Sequence, residues 1–437
     1  MVETLSPTTQ ATPEKGRNVL DVLMERGFVE NVSDEAGLRE ALADPATKPI
    51  TMYIGFDPTA SSLHIGNLLG IMLMAQIQRH GHRPIALVGG GTGMIGDPTD
   101  KSATRPILTL EQIQENIKGQ RPQFERYLDF EGRAFGDNPP ALLVNNADWL
   151  TPLRYIEFLR DIGKHFSVNQ MLSHSTYRDR LESGSLNFIE INYVLLQAYD
   201  FLYQYKEFGC TLQAGGSDQW FNILAGTELV RKVEGGQAFA LVTPLLTTAS
   251  GEKMGKTATG ERIWLDPAQT TPYQFFQYWV NVEDVMVEQL LKLYTFLPLD
   301  QIAELAKLEG AELRRAKEIL AFEATKLSHG EEAALAAQAA SRALFSGEGD
   351  LGEAVPTTTV ARADLAAGLP LLDLLVTAGL AKSKSEARRL ISQGGAAVNG
   401  TTASDVEARV TDADLRDGSL ILRAGKKRFS RVVSRES

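Results

Sequence analysis

His64 and Asn67 stand three residues apart in Leu63-His-Ile-Gly-Asn67, at the point where the run from Gly66 to His80 becomes patterned as a helix. A helix start presents unpaired backbone N–H groups and the positive end of the macrodipole, and so holds anions, above all phosphates. Both side chains donate hydrogen bonds without a fixed charge. That suits oxygens whose negative charge grows only in a transition state. Downstream, Gly251-Glu-Lys-Met-Gly-Lys-Thr257 puts Lys253 and Lys256 three apart beside glycines, just after an apolar strand, Phe239 to Leu246. It is not a P-loop, because that motif needs four residues before its Gly-Lys-Thr and Gly251 leaves three. A third group, Tyr193, Gln197 and Asp200, recurs at spacings of four and three, hence on one face of the helix expected from Phe188 to Phe208. A phenol, an amide and a carboxylate set among apolar residues are costly to bury unless a ligand with an amino group and a hydroxyl satisfies them. Asp200 most needs a donor.

The elements that must position these groups are parallel units. Residues 51 to 54 read as a buried strand ended by Gly55 and Asp57-Pro58, the helix after Gly66 follows, and Ile85 to Val88 is the next strand. Further strands are expected at Ala141–Val144, Cys210–Gln213 and Phe239–Leu246, with helices at 110–130 and Gln219–Lys232. Gly215-Gly-Ser-Asp218, between a strand and a helix start, is a plausible ribose and adenine site. Gly91, Gly93 and Gly96 match the dinucleotide fingerprint, but Asp97-Pro98 follows at once and Pro would break the helix that fingerprint opens, so a glycine-rich loop is expected. Lys101 and Arg105, in the polar segment after it, can reach phosphate oxygens. Thr151-Pro152 reads as a helix start whose apolar face holds Leu153, Ile156, Phe158, Leu159 and Ile162.

The His64 and Lys253 stretches together resemble the two signatures of the class I aminoacyl-tRNA synthetases, with Asn67 where a second His is usual and Gly255 and Thr257 where serines are. Over residues 17 to 433 the chain resembles the bacterial tyrosyl-tRNA synthetases, through Tyr53-Ile-Gly-Phe-Asp-Pro-Thr-Ala60, Ile95-Gly-Asp-Pro98, Gly163-Lys-His-Phe-Ser-Val168, Leu196-Gln-Ala-Tyr-Asp-Phe201 and Gly215-Gly-Ser-Asp-Gln-Trp220. The resemblance implies tyrosine activation with ATP and transfer to tRNA(Tyr), by a cytoplasmic homodimer whose interface the Thr151 helix neighbours. It assigns Tyr53 and Asp200 to the substrate phenol, with Tyr53 or a water donating to Asp200 in the resting enzyme, Asp97, Tyr193 and Gln197 to its ammonium, and Gln213 nearby. Gly55, Asp57, Gly66, Gly216, Asp218, Gln219 and Met254 would surround the nucleotide. Thr59, His64 and Asn67 would meet its phosphates, and Lys101, Arg105, Lys253, Lys256 and Thr257 the departing pyrophosphate. Mg²⁺ is expected with ATP, without a protein-held metal site.

The implied fold is α/β: a Rossmann-like parallel sheet at 17–265 after a disordered tail at 1–16, a helical domain at 266–345, a linker at 346–368 and a small α+β RNA-binding domain at 369–437. In the last of these Lys384, Arg388 and Arg389 would face RNA. Charge supports that end. Residues 381 to 437 hold twelve Lys or Arg against seven Asp or Glu, whereas the whole 437-residue chain carries −11. With 43% hydrophobic residues and no apolar run of membrane-spanning length, a globular protein is expected, and a lone cysteine, Cys210, excludes an internal disulfide and fits a reducing compartment. A nicotinamide oxidoreductase would explain Gly91 to Gly96 but not the lysine loop. A non-enzymatic RNA-binding protein would explain the basic tail but not the phenol pocket.

Overall fold

Strand β2 (Thr51–Phe56) carries buried side chains on both faces, as the inner strand of a covered parallel sheet must. A computed structural model describes residues 16–97, 108–184, 186–247, 254–255, 261–346, 357–416, 418–425 and 428–435. Within them the main sheet has six strands, ordered β1 (Asn31–Val32), β6 (Phe239–Thr243), β5 (Cys210–Gly216), β2, β3 (Arg83–Val88) and β4 (Leu142–Asn145). Strands β2 to β6 run parallel, and β1 adds an antiparallel edge.

Helices α1 (Val19–Arg26) and α2 (Glu35–Ala41) precede β2, and α3 (Ile65–Arg79) returns from β2 to β3. Alternate residues of β2 face different neighbours. Ile54 and Phe56 pack at α3, where a side chain on Gly70 would meet both. Tyr53 instead joins the core of α9 (Phe188–Phe208) and α10 (Trp220–Glu234), with Ile85, Val194, Phe201 and Leu229. Asn187 caps the start of α9 reciprocally with Glu190, and Gly209 at φ 61° ends it, so the predicted span is the observed one. Cys210 begins β5 with no solvent exposure, and burial raises its thiol pKa.

Between β3 and α9 lie α4 (Leu110–Phe124), α5 (Ala147–Leu150), α6 (Tyr155–Asp161), α7 (Val168–Ser173) and α8 (Ser175–Glu182). The expected helix start at Thr151-Pro152 is corrected. The Thr151 hydroxyl donates to the Ala147 carbonyl and closes the preceding turn, so the next helix begins only after Arg154. Of its supposed apolar face, Phe158 and Ile162 are buried, while Ile156 is 73% exposed.

The chain divides into two compact units, one formed by the chain up to Asp266 with Val282–Leu320, the other by Pro267–Asn281 with the chain from Ala321. The expected 266–345 helical domain is therefore split. Helices α12 (Val287–Tyr294) and α13 (Leu299–Leu305) belong to the first unit, where the Arg26 guanidinium donates to the carbonyls of Lys292, Thr295 and Leu297 at the end of α12. Helix α14 (Leu313–His329) crosses the boundary, and α11 (Pro272–Val280) pairs with α15 (Glu331–Ser346) in the second unit through Gln277 and Ser341.

That unit also holds β7 (Thr357–Ala361), α16 (Arg362–Ala366), β8 (Leu369–Pro370), α17 (Leu371–Thr377), α18 (Lys384–Ser392), β9 (Ala396–Val398), β10 (Thr401–Ala403), β11 (Arg409–Val410), β12 (Ser419–Ala424) and β13 (Arg428–Arg435). Asn399 and Gly400, both at positive φ, turn the chain between β9 and β10 as a hairpin. The 346–368 linker is corrected in its described part. Strand β7 pairs with β13 and Leu365 is fully buried, so the small domain begins by residue 357.

Candidate active site

The two sides of the α3 start are locked by the residues the sequence singles out. The Gly66 N–H donates to Nδ1 of His64 at 3.0 Å, and the Oδ1 of Asn67 accepts from the His64 N–H at 3.1 Å, a reciprocal cap. Each side chain thus spends an acceptor on the helix. Because Nδ1 accepts, the imidazole proton sits on Nε2, and burial holds the His64 pKa at about 4, with Arg262 adding to the effect. His64 is therefore a neutral donor near pH 7, and the Asn67 amide contributes its NH₂ group.

These groups line one cleft of about 600 Å³ at the carboxyl ends of the parallel strands. Every described residue assigned to catalysis, nucleotide or amino acid in the sequence lies on its wall. Gly55, Asp57, Thr59, His64, Gly66 and Asn67 come from the β2–α3 connection, Gly216, Asp218 and Gln219 follow β5, and Met254 comes from the lysine stretch. Tyr53, Tyr193, Gln197, Asp200 and Gln213 gather together, with Tyr53 opposite Gln213 in the β2–β5 register. Asp97 lines the same cleft and accepts from Gln219 Nε2 at 2.8 Å. Gly255, at φ 105°, leaves so little room that a side chain there would lie 3.3 Å from the Gly66 nitrogen, which places the two signature stretches in contact. Lys101, Arg105, Lys253, Lys256 and Thr257 lie outside the described residues. Lys384, Arg388 and Arg389 sit on α18 of the second unit, Lys384 paired with Asp373 at 2.5 Å.

Asp200 is 3% exposed, and its partners are not the expected ones. Trp149 Nε1 donates to one carboxylate oxygen at 2.7 Å and Asn146 Nδ2 to the other at 2.8 Å, while the buried Tyr53 hydroxyl has no protein partner among the described residues. Burial pushes the Asp200 pKa up to about 7, against the downward pull of those two donors. Asn146 cannot turn over, since its Oδ1 accepts from the Gly91 N–H and its Nδ2 also reaches the Thr92 hydroxyl. Trp149 is stacked on Tyr203 at 4.4 Å. The glycine-rich loop explains itself here. A side chain on Gly90 would come within 2.1 Å of Asn145, so the run exists to let this loop lie against the end of β4. Gly96, at φ 85°, is not helical, as read.

Sequence reasoning missed Asn146, Trp149 and Arg262. The first two directly follow β4, and the carboxyl end of a parallel strand was the signal available. Arg262 is, among the described residues, the one Lys or Arg on the cleft wall, stacked on Trp264 at 5.7 Å.

Comparison with known families agrees with this geometry. Residues 45–346 match the family model of tRNA synthetases class I (W and Y), and residues 349–432 match the tyrosine–tRNA ligase SYY-like C-terminal domain. The catalytic part is therefore that of a class I aminoacyl-tRNA synthetase. A tyrosine–tRNA ligase of Clostridium beijerinckii is 48% identical over 95% of this chain and 99% of its own length, and one from Desulfosudis oleivorans is 49% identical over 96% and 99%. The crystal structure of a C-terminally truncated Aspergillus nidulans mitochondrial tyrosyl-tRNA synthetase superposes with a TM-score of 0.66 at 30% identity, over 75% of this chain and 94% of that one. The chain belongs to the tyrosine–tRNA ligase family.

Proposed function

We propose that the cleft joins L-tyrosine to AMP and then passes the tyrosyl group to tRNA(Tyr). The activity is that of an ATP-dependent tyrosine–tRNA ligase. One observation carries the assignment of its amino-acid end: the Tyr53 hydroxyl, Gln197 Oε1 and Gln213 Oε1 are buried polar atoms without a protein partner among the described residues, grouped with the Asp200 carboxylate on one wall. A phenol donating to Asp200 and accepting from Tyr53, with an ammonium donating toward Gln197, Tyr193 and Asp97, satisfies the first two, with Gln213 close by. Phenylalanine would leave the phenol partners unpaired, and rejection of that kind by tyrosyl-tRNA synthetase is the standard illustration of the effect.

The tyrosine carboxylate attacks the α-phosphorus, and the bond to pyrophosphate breaks. Thr59, His64 Nε2–H and the Asn67 NH₂ donate to phosphate oxygens, Asp218 accepts from the ribose, and Lys101, Arg105, Lys253, Lys256 and Thr257 hold the leaving pyrophosphate. No side chain acts as nucleophile, so orientation and charge stabilisation carry the rate. Mg²⁺ would enter on ATP. Among the described residues no group of three or more His, Cys, Asp or Glu could hold it. Tyrosine-dependent exchange of pyrophosphate into ATP tests the reading, with tryptophan and phenylalanine alongside. Exchange driven equally by either would overturn it.

The protonation of Asp200 gives a pH signature. Its pKa lies near 7 in the folded chain against 3.8 ordinarily, so the native state binds the proton more tightly, and this group's contribution to stability falls as pH rises between roughly 4 and 7. Only the carboxylate accepts from the phenol while keeping both protein donors. Consequently kcat/KM for tyrosine should climb with pH and level off above about 7, a limb absent from Asp200→Asn. His64 adds nothing there, being neutral above about 4.

We also infer a cytoplasmic homodimer. Ile156, Phe188 and Val168 are 73%, 67% and 57% exposed, apolar side chains that a second copy of the chain would cover. Sedimentation should give twice the 47.8 kDa chain mass, and Ile156→Glu should shift it toward the monomer. An unchanged profile would remove these residues from the interface. No helix among the described residues is long and apolar enough to cross a membrane.

A further inference from the structure

The connection from β2 to α3 carries Asp57 and Thr59 and delivers His64, yet residues 57–63 contain no helix or strand of their own. What holds them is a face of α4. Asn116 Nδ2 donates to the Pro58 carbonyl at 2.8 Å, and Gln120 Nε2 donates to the Ala60 carbonyl at 2.9 Å. Gln123 Oε1 accepts from the Leu63 N–H at 2.8 Å and from the Ser62 hydroxyl at 3.3 Å. Positions 116, 120 and 123 are spaced by four and three, so three amides stand in a row along one side of the helix. All of their bonds but one, to the Ser62 hydroxyl, go to backbone.

Gly119 lies in the same row. A side chain there would come within 2.3 Å of the Ser61 carbonyl oxygen, so helix and loop touch backbone to backbone with no room for a methyl group. The helix itself is anchored, because Ile113 and Phe124 are buried and the Phe124 ring meets Phe56 edge-on at 5.0 Å. On its other side the connection is bonded by the segment after the lysine stretch, where Leu265 N–H donates to the Leu63 carbonyl and Asp266 N–H to the Ser62 hydroxyl. The α4 bonds fix the remaining freedom of the loop. Gln120 is 1% exposed and lines the cleft beside Thr59.

We propose that Asn116, Gly119, Gln120 and Gln123 are positioning residues for adenylate formation, holding the 58–63 backbone so that Thr59 and His64 meet the phosphates in the transition state. The proposal rests on the phosphate roles given above to Thr59 and His64. None of the four is among the residues assigned to tyrosine, nucleotide or phosphates. Their effect should therefore appear in the rate of the chemical step and leave tyrosine affinity alone, since Tyr53 and Asp200 are held by other elements. A misplacement of about an ångström at such groups costs up to about a hundredfold.

The test uses the full-length chain and measures three quantities: the single-turnover rate of tyrosyl-adenylate formation at saturating ATP and tyrosine, the tyrosine Kd and the melting temperature. Asn116→Ala, Gln120→Met, Gln123→Met and Gly119→Ala should each lower the rate by about tenfold with the tyrosine Kd within about twofold. Gln123→Glu, which keeps an acceptor for the Leu63 N–H, should recover most of the rate. Combined with Thr59→Ala, Gln120→Met should cost less than the two effects added, because Gln120 holds the Ala60 carbonyl next to Thr59 and both changes act at that group. Rates within about twofold of the parent in the amide variants, or simple additivity with Thr59→Ala, would overturn the proposal. If Gly119→Ala does not fold, the three amide variants decide. Thr59→Ala and His64→Ala run in parallel, and if they leave the rate intact it is the phosphate assignment that fails, a result distinct from failure of the amide row.

Discussion

Asp200→Asn should lower tyrosine activation by at least about tenfold while phenylalanine activation, weak to begin with, changes by no more than a few fold. The carboxylate receives two protein hydrogen bonds, from Trp149 and Asn146, and neither donor can be turned round. The indole has only an N–H to offer, and the Asn146 amide is fixed by Gly91 and Thr92. An asparagine must therefore aim its NH₂ at one of two donors. One charge-assisted bond is lost, a buried donor is stranded, and the phenol faces a weaker acceptor. Of these, only the weakened phenol bond is made with tyrosine and so enters the rate, and a charge-assisted bond on the order of 1.5 to 3 kcal/mol corresponds to about tenfold to a hundredfold. Pyrophosphate exchange with both amino acids, on protein with the parent's melting behaviour, checks it. Full preference for tyrosine in the variant would place the phenol elsewhere in the cleft.

The second large effect concerns the small domain. A chain ending at Pro356 should keep tyrosine-dependent pyrophosphate exchange within about twofold yet charge tRNA about a hundredfold more slowly, with a weaker dependence on salt. All the described cleft residues precede that cut, whereas the basic excess of residues 381 to 437 lies beyond it. The place of the cut matters. Ending the chain after Gly368 would leave β7 without β13, a strand with nothing to pair, and would confuse loss of RNA contacts with misfolding. Equal charging by the shortened and full chains would show that α18 and its arginines take no part in tRNA recognition.

Where a feature depends on its own neighbours in sequence, the sequence displayed it. The strand, loop and helix around His64, the 21 residues of α9 and the Asn399-Gly400 turn are of this kind, being set by periodicity, caps and positive φ. What stayed hidden depends on distant partners. Trp149 and Asn146 are ordinary residues until folding brings Asp200 to them across about fifty positions. The amides of α4 look like a solvated face, and only the approach of residues 58–63 makes them structural. Strand β7 is five residues long beside Gly- and acid-rich sequence, and its identity comes from β13, some seventy residues on. The edge strand β1 is two residues long, too short for any period to show.

Cys210, sealed at the start of β5, is the only thiol in the chain. Burial keeps it protonated, so maleimides and mild oxidants have no thiolate to attack while the fold is intact. The natural protein is thus already a silent background for spectroscopy. A single cysteine introduced on the exposed face of α4 or α18 would be the one site that takes up a spin label or dye, and reaction of a second thiol would itself report that the sheet had opened.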